Sequence, residues 1–199
     1  MERFVLGNGP WMTWNTTLAI VPLLMAVALF GRDATRRSPV WWLGFAGLVV
    51  ALPNAPYVLT DVVHLPGSLH EVRPSLAMEG GVALAYALLF TIGVASYVLT
   101  LHLLGEYARR AGWARRTSIT IEVTLHAACA VGIYLGRFPG LNSWDLLRRP
   151  ADVADGVRGV ATPFGIAAVT TLFVVVAVAA TATRWLALGA AEQLRRRHG

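Results

Sequence analysis

Apolar residues fall into five long runs, near 12–31, 39–64, 80–103, 119–137 and 163–188, and the stretches between them are rich in arginine, glycine and proline. About 20 apolar residues carry an α-helix across the hydrocarbon core of a bilayer. Each run meets that length, and inside lipid a helix satisfies its own backbone polar groups. The pattern predicts an all-α fold, a polytopic membrane helix bundle of about five transmembrane helices. No repeat or linker divides the chain, so 1–199 reads as one integral-membrane domain.

The second run carries an interruption. Residues 39–52 read as an apolar helix, Pro53 and Pro56 break it, and Tyr57 to Leu65 resumes it. Each proline removes a backbone donor and turns the preceding residue away from helix. Irregular backbone at membrane depth persists where it is buried in protein or lines a wet cavity, and broken helices often form binding sites. A kink stabilised by neighbouring helices is the structural alternative. The 138–162 loop is too polar to span. Trp144, Leu146, Leu147, Val153 and Val157 could line one side of a short interfacial helix beginning near Pro150, with Asp155 and Arg158 on its wet side. Such a helix would cover the mouth of the bundle.

Composition agrees with a membrane protein: 56% of residues are hydrophobic and 14% charged, and the mean hydropathy is +0.57. All 17 basic residues are arginine. The net charge of +6 does not point to nucleic acid, because the arginines sit in short clusters between apolar runs, as topology determinants do. Cys129 is the only cysteine, so no intramolecular disulfide forms. The first run has only Glu2 and Arg3 before it, with Arg32, Arg36 and Arg37 after it. That is the reverse of a signal peptide, and it predicts an uncleaved helix with its N-terminus outside. In that orientation ten arginines lie on the cytoplasmic side and six outside, with Arg184 at the inner end of the last run. The expectation is a plasma-membrane protein with N-terminus outside and C-terminus cytoplasmic.

This topology places three polar clusters at one face: Trp14 with Asn15, Asn54 to His64, and Arg137 with Asn142, Trp144 and Asp145. Ionisable groups at membrane depth suggest a functional site. On an α-helix Tyr57, Asp61 and His64 would share a face. Asp61 and His64 could act as an acid–base couple, or hold a divalent metal with Asp145, or form a structural hydrogen-bond network. Arg137 could grip an anionic head group, or pair with Asp145 or Asp61. Asn15, Asn54, Tyr57, Arg137, Asn142, Trp144 and Asp145 are candidate ligand-binding residues. Asn15 is also placed to bridge the first two helices, and Asn54 to bond backbone groups opened by the break. Toward the other face, His102, Glu106, Glu122, His126 and Arg184 suggest an interhelical ion-pair network.

The segments Trp14 to Pro22, Pro53 to Leu65 and Tyr134 to Phe138 with Asn142-Ser143-Trp144-Asp145 resemble, in order and over most of the chain, a bacterial integral-membrane family known as domain of unknown function 1361. The resemblance implies a multi-pass plasma-membrane protein and carries no activity, substrate or cofactor. In that family a basic residue often stands two positions before the Asn-Ser-Trp-Asp motif; Gly140 stands there in this chain, which leaves a phosphate reading of the loop to Arg137.

Three functions fit these residues: binding or processing of a polar or lipid-linked envelope molecule, a small transporter or ion-binding component, and a non-catalytic accessory subunit. No nucleophile elbow, zinc-protease helix, P-loop or dinucleotide fingerprint is present.

Overall fold

The computed structural model describes residues 2–31, 37–72 and 75–198. Arg32, Arg36 and Arg73, which enter the orientation argument, lie outside the described residues, as do the side chains of Glu2, Arg3, Arg195, Arg197 and His198. The helices are α1 (Glu2–Phe30), α2 (Pro39–Ala51), α3 (Asn54–Tyr57), α4 (Leu65–Glu71), α5 (Leu76–Arg110), α6 (Arg115–Arg137), α7 (Asp145–Arg148), α8 (Pro150–Val160) and α9 (Pro163–His198), with a 3-10 segment at Val58–His64 between α3 and α4. Five of the helical stretches are long and apolar enough to cross a membrane: Gly9–Phe30, Pro39–Glu71, Leu76–Arg110, Arg115–Arg137 and Pro163–Ala190. Leu24, Leu43, Leu84 and Val178 are well exposed on these helices. In a bilayer such side chains face acyl chains at no cost.

The long central helix α5 buries Val82, Tyr86, Leu89, Gly93 and Tyr97. It packs against α1, α3 and α9, while α6 packs chiefly on α9. Small residues make the close crossings. A Cβ on Gly93 would collide with the Val58 side chain and lie 2.5 Å from the Ala55 carbonyl oxygen, and one on Gly132 would collide with the Pro53 ring. Packing of this kind drives helix association where lipid removes the hydrophobic incentive. It also fixes the broken second span between α5 and α6.

The break differs from the expected resumption of an α-helix after Pro56. Pro53 cannot donate to the Val49 carbonyl, so α2 ends at Ala51 and the chain tightens, with Ala55 N donating to Leu52 O at 3.1 Å, before Tyr57 N makes the α-type bond to Pro53 O at 3.0 Å. Residues 58–64 then continue as a 3-10 helix. With three residues per turn, i and i+3 eclipse and i+4 does not. Tyr57 and Asp61 therefore do not share the face an α-helix would give them.

At the opposite end of the bundle, Phe30, Trp41, Tyr107 and Trp113 pack as an aromatic cluster. Arg37 lies over it, 5.0 Å from the Trp113 ring centroid, and donates from Nε to the Tyr107 hydroxyl at 2.9 Å. The expected ion-pair network forms in part. Arg184 of α9 pairs with Glu122 of α6. His126 Nε2 is 3.7 Å from the same carboxylate, and its Nδ1 is 2.7 Å from the buried Tyr97 hydroxyl. Glu106 instead pairs with Arg109 on the surface of α5, at 2.5 Å.

Candidate functional site

Three braces close the end of the bundle where α1 begins and α6 finishes. The first is centred on Asp61, which is only 2% exposed. Asn15 Nδ2 of α1 donates to its Oδ2 at 3.0 Å, and Arg137 Nη1 at the end of α6 lies 3.7 Å from its Oδ1. One carboxylate thus joins α1, the broken span and α6. A carboxyl group buried this far is accommodated where it is both paired and hydrogen-bonded. His64 is exposed, with Nε2 3.5 Å from Arg137 Nη1 and its ring 5.7 Å from that of Trp11.

The second brace is Ser143. Its hydroxyl donates to the Val50 carbonyl at 3.1 Å, and Asn54 Nδ2 donates to the same hydroxyl at 3.2 Å. The sequence predicts that Asn54 bonds backbone groups opened by the break; in the structure Ser143 reaches the Val50 carbonyl near the end of α2, and Asn54 holds the serine. Replacing Ser143 with alanine removes both bonds and is expected to cost about 1–2 kcal/mol. Chemical unfolding of the purified protein measures it, and Asn54→Ala added to Ser143→Ala should cost little more.

The third brace orders the loop itself. Asp145 is 3% exposed. Its Oδ2 accepts from the Asn142 backbone N–H at 2.8 Å, and Arg149 donates to both carboxylate oxygens, from Nε at 3.1 Å and Nη2 at 2.9 Å. The Arg149 guanidinium, and after it the Asn142 N–H, holds the Asp145 carboxyl below the usual carboxylate range. A lowered folded-state value means that this brace stabilises the loop above the ordinary aspartate pKa of about 3.9 and is lost as pH falls through the lower folded value. Amide hydrogen exchange in residues 142–149 should therefore stay slow down to about pH 4 and accelerate below it; in Arg149→Gln the acceleration should set in at higher pH.

Together the braces frame a cavity of about 660 Å³. Trp14, Asn15, Asn54, Tyr57, Asn142 and Ser143 line it at the braced end. Trp144 stands beside it, its ring 6.2 Å from that of Trp14 in an edge-on contact, and Tyr57 lies so close to α6 that a Cβ on Gly136 would be 2.9 Å from its ring. The ligand-binding candidates thus converge, but the charged ones do not join. Asp61 is held by Arg137 and Asn15, and Asp145 by Arg149 and Asn142. Among the described residues no three His, Cys, Asp or Glu side chains form a group able to hold a metal ion.

Sequence reasoning assigned no role to Ser143 or Arg149. Arg149 was readable from its i+4 spacing to Asp145. Ser143 was not, because its partner carbonyl lies 93 residues away.

This architecture defines the chain as a multi-pass α-helical membrane protein with a broken second span. It belongs to the family described as "Protein of unknown function (DUF1361)", whose model matches residues 14–181. No curated protein and no solved structure shows significant similarity to it.

Proposed function

We propose that this protein binds a polar or lipid-linked envelope molecule in the braced cavity, with that end of the bundle outside the plasma membrane, N-terminus out and C-terminus in. The observation that carries the reading is the convergence of residues from α1, the broken span, α6 and the 138–149 loop around one 660 Å³ cavity. A space of that size fits a small-molecule site. A bundle locked only for stability has no need of it. The arginine asymmetry supports the sidedness.

Asp61 serves this reading as the hub that holds three elements together. A processing reaction would draw on Asp61 and on His64, the exposed member of the pair. Asp61→Asn separates the roles: a reaction that needs the carboxylate is lost in a folded, inserted protein, whereas a hub shows lowered stability. Binding itself is tested by mass spectrometry of the molecules that co-purify with protein extracted directly into nanodiscs. Wild type is expected to carry an envelope species that Val131→Trp, which fills the cavity wall, does not. Equal profiles contradict the proposal.

A further inference from the structure

The cavity continues beyond its polar mouth. On α6 its wall runs from Gly136 through Val131 and Ala128 to Thr124, about twelve residues, or about 18 Å at ~1.5 Å per residue. That is more than half of a hydrocarbon core of about 30 Å. Val49, Val50 and Pro53 line the opposite side, and α2 packs chiefly on α1 rather than α6. This stretch is apolar; the Thr124 hydroxyl is turned back to the Thr120 carbonyl at 2.8 Å. The mouth differs in kind. No charged side chain lines the cavity among the described residues; Arg137 faces Asp61 and Arg149 is bound to Asp145.

Two of the side-chain amides at the mouth each lend one N–H to the braces. Asn15 gives its Nδ2 to Asp61 and Asn54 its Nδ2 to Ser143, while Asn142 engages Asp145 through its backbone N–H. Each amide NH2 carries two hydrogens, and Asn15 and Asn54 each use one in this way, so the mouth keeps both amide-oxygen acceptors and N–H donors for whatever occupies it. A sugar hydroxyl both donates and accepts and so matches such a mouth, whereas a phosphate diester only accepts and brings a charge that no lining side chain among the described residues neutralises. Trp14, 54% exposed at the rim, adds the flat apolar surface on which the C–H face of a sugar packs.

We infer that the cavity holds an amphiphile with an uncharged, hydroxyl-rich head group at the Asn15–Asn54–Asn142 mouth and an aliphatic chain laid along α6 toward Thr124. A glycolipid has this chemistry. The inference rests on the proposed binding function and specifies its ligand class. The chain enters sideways from the bilayer between α2 and α6.

The test uses the full-length protein in phosphatidylcholine nanodiscs and a dodecyl maltoside carrying a photoactivatable diazirine in its chain. Labelling is expected on α6 between Thr124 and Val131, and on Val49 or Val50. Unlabelled dodecyl maltoside should compete. Ala128→Phe should abolish labelling, and Asn142→Ala, an exposed loop change that keeps the backbone N–H bond to Asp145, should weaken competition by about tenfold. Dodecyl phosphate competing equally well would overturn the neutral head group while leaving pocket binding intact. Maltose alone competing as well as the full amphiphile would overturn the chain site. Labelling indifferent to both variants would remove the inference and the binding function together.

Discussion

Arg137→Met should lower stability by about 3 kcal/mol, the scale on which stripping one partner from a buried ion pair destabilises a protein. The loss arises at Asp61. With the guanidinium gone, the buried Asp61 side chain keeps the Asn15 amide at 3.0 Å as its hydrogen-bond partner. The broken span then holds a buried carboxyl group that must either stay charged without a counter-charge or take up a proton, at the place where it is tied to α1 and α6. Adding Asp61→Asn to Arg137→Met removes that carboxyl group, and the double variant is expected to regain more than half of the loss. Unfolding of the purified protein in detergent measures all three variants. Additive losses in the double variant would show that Asp61 and Arg137 do not act as a pair.

Gly93→Leu should be as damaging by a different route. Gly93 is the point where α5 admits the broken span: even a Cβ there would lie 2.5 Å from the Ala55 carbonyl oxygen and collide with Val58. Backbone cannot step aside as a flexible side chain does, so a cost of about 3 kcal/mol is expected, the upper end of what overpacking imposes. Gly105 sits on the same helix in open space, where a Cβ would meet nothing within 4 Å. Gly105→Ala should raise stability, by up to about 1 kcal/mol through helix propensity alone. Opposite signs for two glycines on one helix isolate the crossing as the cause. If both substitutions were tolerated, the broken span would not be seated against α5.

Most of this architecture was legible along the chain. Hydropathy reads span length directly, and Pro53 and Pro56 announce the interruption, because the physical causes are local. The observed helices extend beyond the apolar runs; α5 reaches Arg110 and α6 starts at Arg115. Polar residues continue a helix outside the hydrocarbon as readily as apolar ones do within it. The helix over 150–160 also followed from Pro150 and the loop's patterning.

Partner choice was less legible. Asp61 with Asn15 and Arg137 was one of several pairings open to the same residues, and depth alone cannot choose among them. The 3-10 geometry of 58–64 was hidden because the apolar pattern of those residues fits an α-helix equally well. The apolar extension of the cavity along α6 was hidden as well. Thr124, Ala128 and Val131 look like any lipid-facing stripe until α2 is seen to pack chiefly on α1.

Residues 14 and 144 offer the most direct test that distant segments meet at the outer surface. Trp14→Cys and Trp144→Cys, introduced together with Cys129→Ala, give two thiols where the native rings are 6.2 Å apart. A short, membrane-impermeant bifunctional thiol reagent added to intact cells should join them within one chain, as proteolysis between the two sites would reveal. Thiols that react only after the cells are permeabilised, or that never become joined in an inserted protein, would contradict it.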